Sequence, residues 1–149
     1  MLIAKVENGQ VINVVDYRDV FGGSIPTDEQ LVEKSYVRVN LFREHDRLTQ
    51  KLITATPVLE NGWVYTVAVA EMTAEEIQSA KDSAMAQIRG QRNRLLLACD
   101  WTQIADSTAD KTAWASYRTA LRDLPSTITG DPRTFSAWPH DPNWVDRAF

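Results

Sequence analysis

The chain changes character at Met72, and this break constrains its fold more than any other feature. From Thr73 to Ala98 there is no proline and one glycine, Gly90. Ile77, Ala80, Ala84, Ile88, Gln91, Leu95 and Ala98 recur at steps of three or four, which traces one face of a helix about seven turns long. Thr73-Ala74-Glu75-Glu76 has the pattern of a capping box. The Thr73 hydroxyl serves the Glu76 N–H, and the Glu76 side chain reaches back to the Thr73 N–H. Gly90 weakens the helix by about 1 kcal/mol relative to alanine, and it marks a place for a kink or a close helix approach.

Before the break the pattern is that of strands. Leu2–Val6 is short and apolar, Glu7-Asn8-Gly9 is a turn, and Gln10–Tyr17 alternates. Val11, Asn13 and Val15 fall on one side and Ile12, Val14 and Asp16 on the other. Two such runs around Asn-Gly predict a hairpin. Phe21–Pro26 reads as loop. Thr27, with Gln30 three residues on, caps a short helix. Tyr36–Leu41 alternates again, the charged stretch Phe42–Leu48 reads as loop, and Lys51–Leu59 is β-branched. Pro57 assigns that last run to an edge or a strand end. Asn61-Gly62 is a second hairpin turn, followed by Trp63–Val69 with Trp63, Tyr65, Val67 and Val69 on one face.

After the long helix, Ala113, Trp114, Tyr117, Ala120, Leu121 and Leu124 make a second apolar stripe, over about Ala109 to Asp123. Asp106, Ser107 or Thr108 is placed to cap it and Pro125 to stop it. Two stripes joined by a short connection predict an antiparallel helical hairpin. The expected fold class is therefore α+β. Residues 1–72 form a small, mostly antiparallel β-sheet domain of about five strands. Residues 73–125 form the hairpin, and residues 126–149 a tail rich in proline and aromatics.

Composition removes several function classes. A net charge of −4 argues against a general nucleic-acid binder, which carries a basic footprint. Cys99 is the only cysteine, so no disulfide can form within the chain, as suits a reducing compartment. The N-terminus is expected to hold no secretory signal. No apolar stretch reaches the roughly 20 residues that span a bilayer, so no membrane partner is expected. His45, in a charged loop and expected to be solvent-exposed, and His140 in the tail do not compose a zinc pattern with Cys99. There is no nucleophile elbow, phosphate loop or dinucleotide fingerprint. No catalytic residue, cofactor or metal ligand is assigned. An enzyme acting on the cell envelope would need paired carboxylates, and Glu29, Glu44 and Glu60 lie without a supporting pattern.

Binding remains. Trp101, just past the first helix, can fold over Trp114 and lock the turn, with Asp100 accepting from backbone or from an arginine of the second helix. Arg89, Arg92, Arg94, Arg118 and Arg122 give the hairpin a basic cluster. It is either a solvated face with carboxylate neighbours such as Asp123, or a grip on acidic protein or nucleic acid. Trp and Arg are common anchors of interfaces. The candidate partner contacts are Trp101, Arg118 and Arg122 on the hairpin, and Phe135, Trp138, Trp144 and Phe149 in the tail.

These residues carry a family likeness. Arg92, Arg94, Leu95, Leu96, Asp100, Trp101, Thr102 and Gln103 make R-x-R-L-L-x-x-x-D-W-T-Q. Ala113, Trp114, Tyr117, Arg118, Leu121, Arg122, Asp123, Leu124 and Pro125 make A-W-x-x-Y-R-x-x-L-R-D-L-P, and Trp138-Pro139 follows. Over roughly residues 73–140 the chain resembles the phage tail assembly chaperone-like family. Its β-rich start, N-G-W strand and T-A-E-E-I helix opening are similar to tail fibre assembly proteins. The resemblance implies a non-enzymatic bacteriophage tail protein that binds tail or tail fibre proteins, with self-association allowed. It would work in the host cytoplasm during assembly or within the virion tail. A dissociating chaperone and a virion subunit both fit, and the subunit is favoured, because the tail is expected to be ordered by docking on its own domain or on a neighbouring chain. The alternatives are a phage-encoded envelope enzyme and a nucleic-acid-binding adaptor.

Overall fold

Two Asn-Gly pairs set the geometry of the N-terminal half. Strands β1 (Leu2–Glu7) and β2 (Gln10–Asp16) are joined through Asn8 at φ 54° and Gly9 at φ 77°. Strands β4 (Gln50–Glu60) and β5 (Trp63–Glu71) are joined through Asn61 at φ 49° and Gly62 at φ 77°. Two successive left-handed residues make the tight turn whose twist matches that of paired strands, and Asn and Gly are the residues that adopt it at least cost. Glu7 stands opposite Gln10, and Glu60 opposite Trp63. With β3 (Tyr36–Asn40) the five strands form one sheet in the order β2-β1-β3-β5-β4. All neighbours are antiparallel except β3 and β5. The sheet curls until its two edge strands, β2 and β4, approach one another.

The computed structural model describes residues 1–143 and divides into two units at Met72/Thr73. In the first unit both faces of β1 are covered: adjacent Ile3 and Ala4 are each fully buried. Ala4, opposite Val14 and Val37, faces the side that also holds Val64, itself fully buried. Ile3 packs with Tyr17 and Leu31, and Val15, Val20, Phe21 and Tyr36 close around them. Tyr17, Val20 and Phe21 come from the single helical turn α1 (Arg18–Phe21) and its cap, in a region where the sequence predicted only loop from Phe21. Leu31 comes from α2 (Asp28–Glu33), which starts with the expected capping box of Thr27 and Gln30.

Strict alternation fails at two bulges. Lys5 opposes Asn13 but Val6 opposes Val11, so Ile12 has no opposite number and is exposed. Directly opposed residues share a face, so Val11 joins Val14, not Val15 as alternation predicts. In β4 the pairing breaks between Thr54 and Val58. Pro57 lies in this break, on an edge strand, where its missing N–H costs least.

The second unit begins with α3 (Ala74–Ala98), opened by the expected Thr73/Glu76 box. A Cβ added at Gly90 would meet nothing within 4 Å, so the glycine serves no close approach. Helix α4 (Lys111–Thr127) starts later than expected, capped by Asp110, whose Oδ1 accepts from the Thr112 and Ala113 N–H groups at 3.1 Å. Pro125 does not end it; it sits inside the last turn. There the ring removes one donor, the one that would serve the Leu121 carbonyl, and only Ser126 and Thr127 follow it in the helix. The Ser126 hydroxyl donates to the Asp123 carbonyl and the Thr127 hydroxyl to that of Leu124, at 2.6 and 2.8 Å. No helix among the described residues is long and apolar enough to cross a membrane.

Candidate partner-binding module

The helical hairpin is held at one seam. Trp114, Tyr117 and Leu121, at 3–4-residue spacing on α4, pack with Cys99 at the end of α3, and Leu95, Leu96, Ala109 and Trp138 close the cluster. Trp114 is 8% exposed and meets Tyr117 edge-on, with centroids 5.7 Å apart. Asp100–Gln103 form a 3-10 turn that sets Trp101 against Trp114 at 6.1 Å. Thr102 is fully buried, and its hydroxyl donates to the Cys99 carbonyl at 2.7 Å.

Arg118 ties this turn to α4. Its Nη1 donates to the Leu96 carbonyl at 2.8 Å and to the Cys99 Sγ at 3.0 Å, while Nη2 reaches Asp100 at 2.8 Å. The carboxylate–arginine contact anticipated for Asp100 is present, and it turns Arg118 inward. Cys99 is 2% exposed, and its thiol donates to the Leu96 carbonyl.

The tail folds back on its own hairpin. After α4 a 3-10 turn, Pro132–Thr134, is capped by Asp131. The Asp131 carboxylate accepts from the backbone N–H, Nε and Nη2 of Arg133 at 3.0, 3.0 and 2.7 Å, and Lys81 of α3 stands 3.9 Å away. Phe135 and Trp138 meet edge-on at 5.4 Å and share a groove with Ala84, Ile88 and Arg94 of α3. Both rings are half-buried. The remaining tail candidates, Trp144 and Phe149, lie outside the described residues.

The Arg133 guanidinium, aided by the Arg133 backbone N–H, lowers the Asp131 carboxyl from 3.8 to about 2. A carboxyl depressed in the folded state adds stability above its ordinary value and loses it as pH falls through the folded value. The clasp should therefore hold at neutral pH and weaken between about 4 and 2. Thermal melts across that range should show Asp131→Asn less acid-sensitive than the native chain; parallel curves would remove the clasp from the account.

The end of the hairpin is apolar and open. Leu97 is 73% exposed, Trp101 52% and Ile104 54%. Leu97 and Ile104 were missed in the sequence, although a signal existed. In the run Leu95-Leu96-Leu97 only the first belongs to the α3 stripe, so Leu97 points away from it. Arg122 is exposed, and its Nη2 donates to Thr119 Oγ1 at 3.1 Å. His45 is half-buried, not fully exposed as expected: its Nδ1 is 2.8 Å from the Arg43 carbonyl, and Phe42 packs on the ring. Glu60 is engaged by Arg43 at 2.8 Å, and Glu29 lies in the first turn of α2.

Residues 85–143 match the family model described as phage tail assembly chaperone protein. No curated protein and no solved structure matches the chain. The matched span covers the second half of α3, the Trp101 turn, α4 and the docked tail, so the packed module and the matched segment nearly coincide. Residues 85–143 are thus similar to the phage tail assembly chaperone protein family over about two fifths of the chain.

Proposed function

We propose that the protein works by binding a phage tail or tail fibre protein, without catalysis, and that the open end of the hairpin receives the partner. The observation that carries this reading is Trp101. Its ring is half-exposed, braced from beneath by the buried Trp114, and flanked in sequence by exposed Leu97 and Ile104. A large ring held in place before binding loses little freedom on docking, and such rings supply much of the energy of protein interfaces.

Phe135, Trp138 and Arg118 are committed to the hairpin itself, so they act as its supports and Trp101 as the contact. Order in the described tail is accounted for within one chain, which removes the reason to require a permanent neighbour. The reading is therefore a helper that leaves after assembly. Trp101→Ala should cost about 1 kcal/mol of stability, the scale of one aromatic pair. It should nevertheless abolish tail assembly in a phage or prophage carrying the gene, with Trp101→Phe retaining part. Electron microscopy of the particles checks this, and normal tails with Trp101→Ala would sink the assignment. Mass spectrometry of purified virions should find the protein absent.

A further inference from the structure

Several cations among the described residues are paired with nearby carboxylates. Lys5 pairs with Glu7, Arg38 with Asp28, Arg43 with Glu60, Arg118 with Asp100, and Lys81 and Arg133 with Asp131. One group on the hairpin brings to one place several cations with no such pair among the described residues. Arg89 and Arg92 lie three residues apart on α3, hence on one side of it. The Arg92 Nη1 reaches across to the Arg122 carbonyl of α4 at 3.5 Å. The hydrogen bonds these side chains make go to neutral acceptors: Arg92 Nε to Asn93 Oδ1 at 3.0 Å and Arg122 Nη2 to Thr119 Oγ1 at 3.1 Å. Among the described residues none of the three forms an ion pair. Arg89 and Arg122 are exposed and Arg92 half-exposed.

Arg92 reaches the Arg122 backbone and Arg89 lies a turn away on the same side of α3, so the three cations lie near one another on the hairpin with no ion pair among the described residues to offset their charge. We infer that the Arg89–Arg92–Arg122 face of the hairpin is a recognition site for an acidic segment of the partner protein. This rests on the partner-binding reading above and gives that partner a chemistry. Guanidinium groups hold carboxylates through paired N–H donors, a geometry that favours arginine over lysine. Next to Arg122 the α4 surface carries Ala115 and Thr119, small side chains that let a backbone approach. A nucleic acid is the poorer fit. Its binding draws on many phosphate contacts, roughly six to ten in a strong complex, whereas this face offers three cations on a chain of net charge −4.

The test uses the full-length protein. A short fluorescent polyglutamate peptide is titrated against it, beside the same peptide with Gln for Glu and single-stranded and duplex oligonucleotides. The glutamate peptide should bind and weaken with added salt, and the glutamine peptide should not bind. The pair Arg92→Gln with Arg122→Gln should weaken binding about tenfold or more, since each lost charge-assisted contact removes a sizeable share of a weak complex. Arg89→Gln, at an exposed position that cannot threaten the fold, should weaken it severalfold. Arg94→Gln, on the tail side of α3, should change it little. The inference falls if the native protein does not bind the glutamate peptide, if the Arg89 and Arg92/Arg122 variants bind it equally well, or if an oligonucleotide binds more tightly. The assay does not involve tail assembly. Failure here with assembly still dependent on Trp101 would remove this inference alone, and the partner-binding reading would stand.

Discussion

Trp114→Ala should cost the hairpin about 3–5 kcal/mol, the range for truncating a buried aromatic side chain. Domain stabilities are about 5–15 kcal/mol, so most of the second unit's margin would go. Trp114 is 8% exposed and touches the contacts that unite the module: Tyr117 edge-on, Trp101 above it, and Cys99 at the end of α3. Removing the ring leaves a void between α4 and the 3-10 turn, and it takes the brace from under Trp101. Thermal melts followed by helical circular dichroism should fall by tens of degrees, at about 4–8 °C per kcal/mol for a domain of this size. Trp114→Phe should recover part, since a smaller ring still fills part of the space. An Ala variant that melts like the native protein but no longer supports tail assembly would show that the ring is a contact surface, and the packing described here would be wrong.

Local devices were legible in the sequence because their physics is local. Asn8-Gly9 and Asn61-Gly62 need only their own backbone angles, and the Thr27 and Thr73 boxes only a residue three positions on. The helical stripe that named Trp114, Tyr117, Leu121 and Leu124 survives as four buried positions of α4. What was hidden depends on residues distant in sequence. Nothing around Ile12 signals that it has no opposite number, because the bulge is a relation between β1 and β2. The parallel pairing of β3 with β5 arises when the β4–β5 hairpin docks by its second strand, which alternation alone cannot select. Pro125 was misplaced because a proline fixes a φ that suits a helix and removes only its own donor, so the last two residues can still follow in helical geometry, their hydroxyls serving the Asp123 and Leu124 carbonyls. For the site, the Asp100–arginine contact and the Trp101–Trp114 ring contact were readable from their positions at the turn. The division of labour was not: only packing shows that Phe135 and Trp138 cover their own hairpin while Leu97 and Ile104 stay open.

Arg118→Met should cost the second unit about 2–3 kcal/mol, and the apportioning of that loss is the stronger test. The side chain is 17% exposed and serves three acceptors, the Leu96 carbonyl, Cys99 Sγ and Asp100. The Asp100 side chain is 56% exposed, so solvent screens that contact, and exposed pairs contribute about 0–1 kcal/mol. The Leu96 carbonyl belongs to the last turn of α3, where it also accepts from the Cys99 N–H and thiol and where a cation is favoured by the helix dipole. A hydrogen bond from a charged donor there contributes about 1.5–3 kcal/mol. Most of the effect should therefore lie with the helix end. Asp100→Asn should cost about 1 kcal/mol or less, and Arg118→Lys should recover only part, because an ammonium cannot span three acceptors in the fixed fork of a guanidinium. A double-mutant cycle between Arg118 and Asp100 measures the pair directly. If Asp100→Asn cost as much as Arg118→Met, the ion pair and not the helix end would hold the turn, and the D-W-T-Q motif would owe its aspartate to stability. A small coupling would mean that Arg118 closes α3 and that Asp100 chiefly keeps the guanidinium turned inward, away from the open Trp101 end.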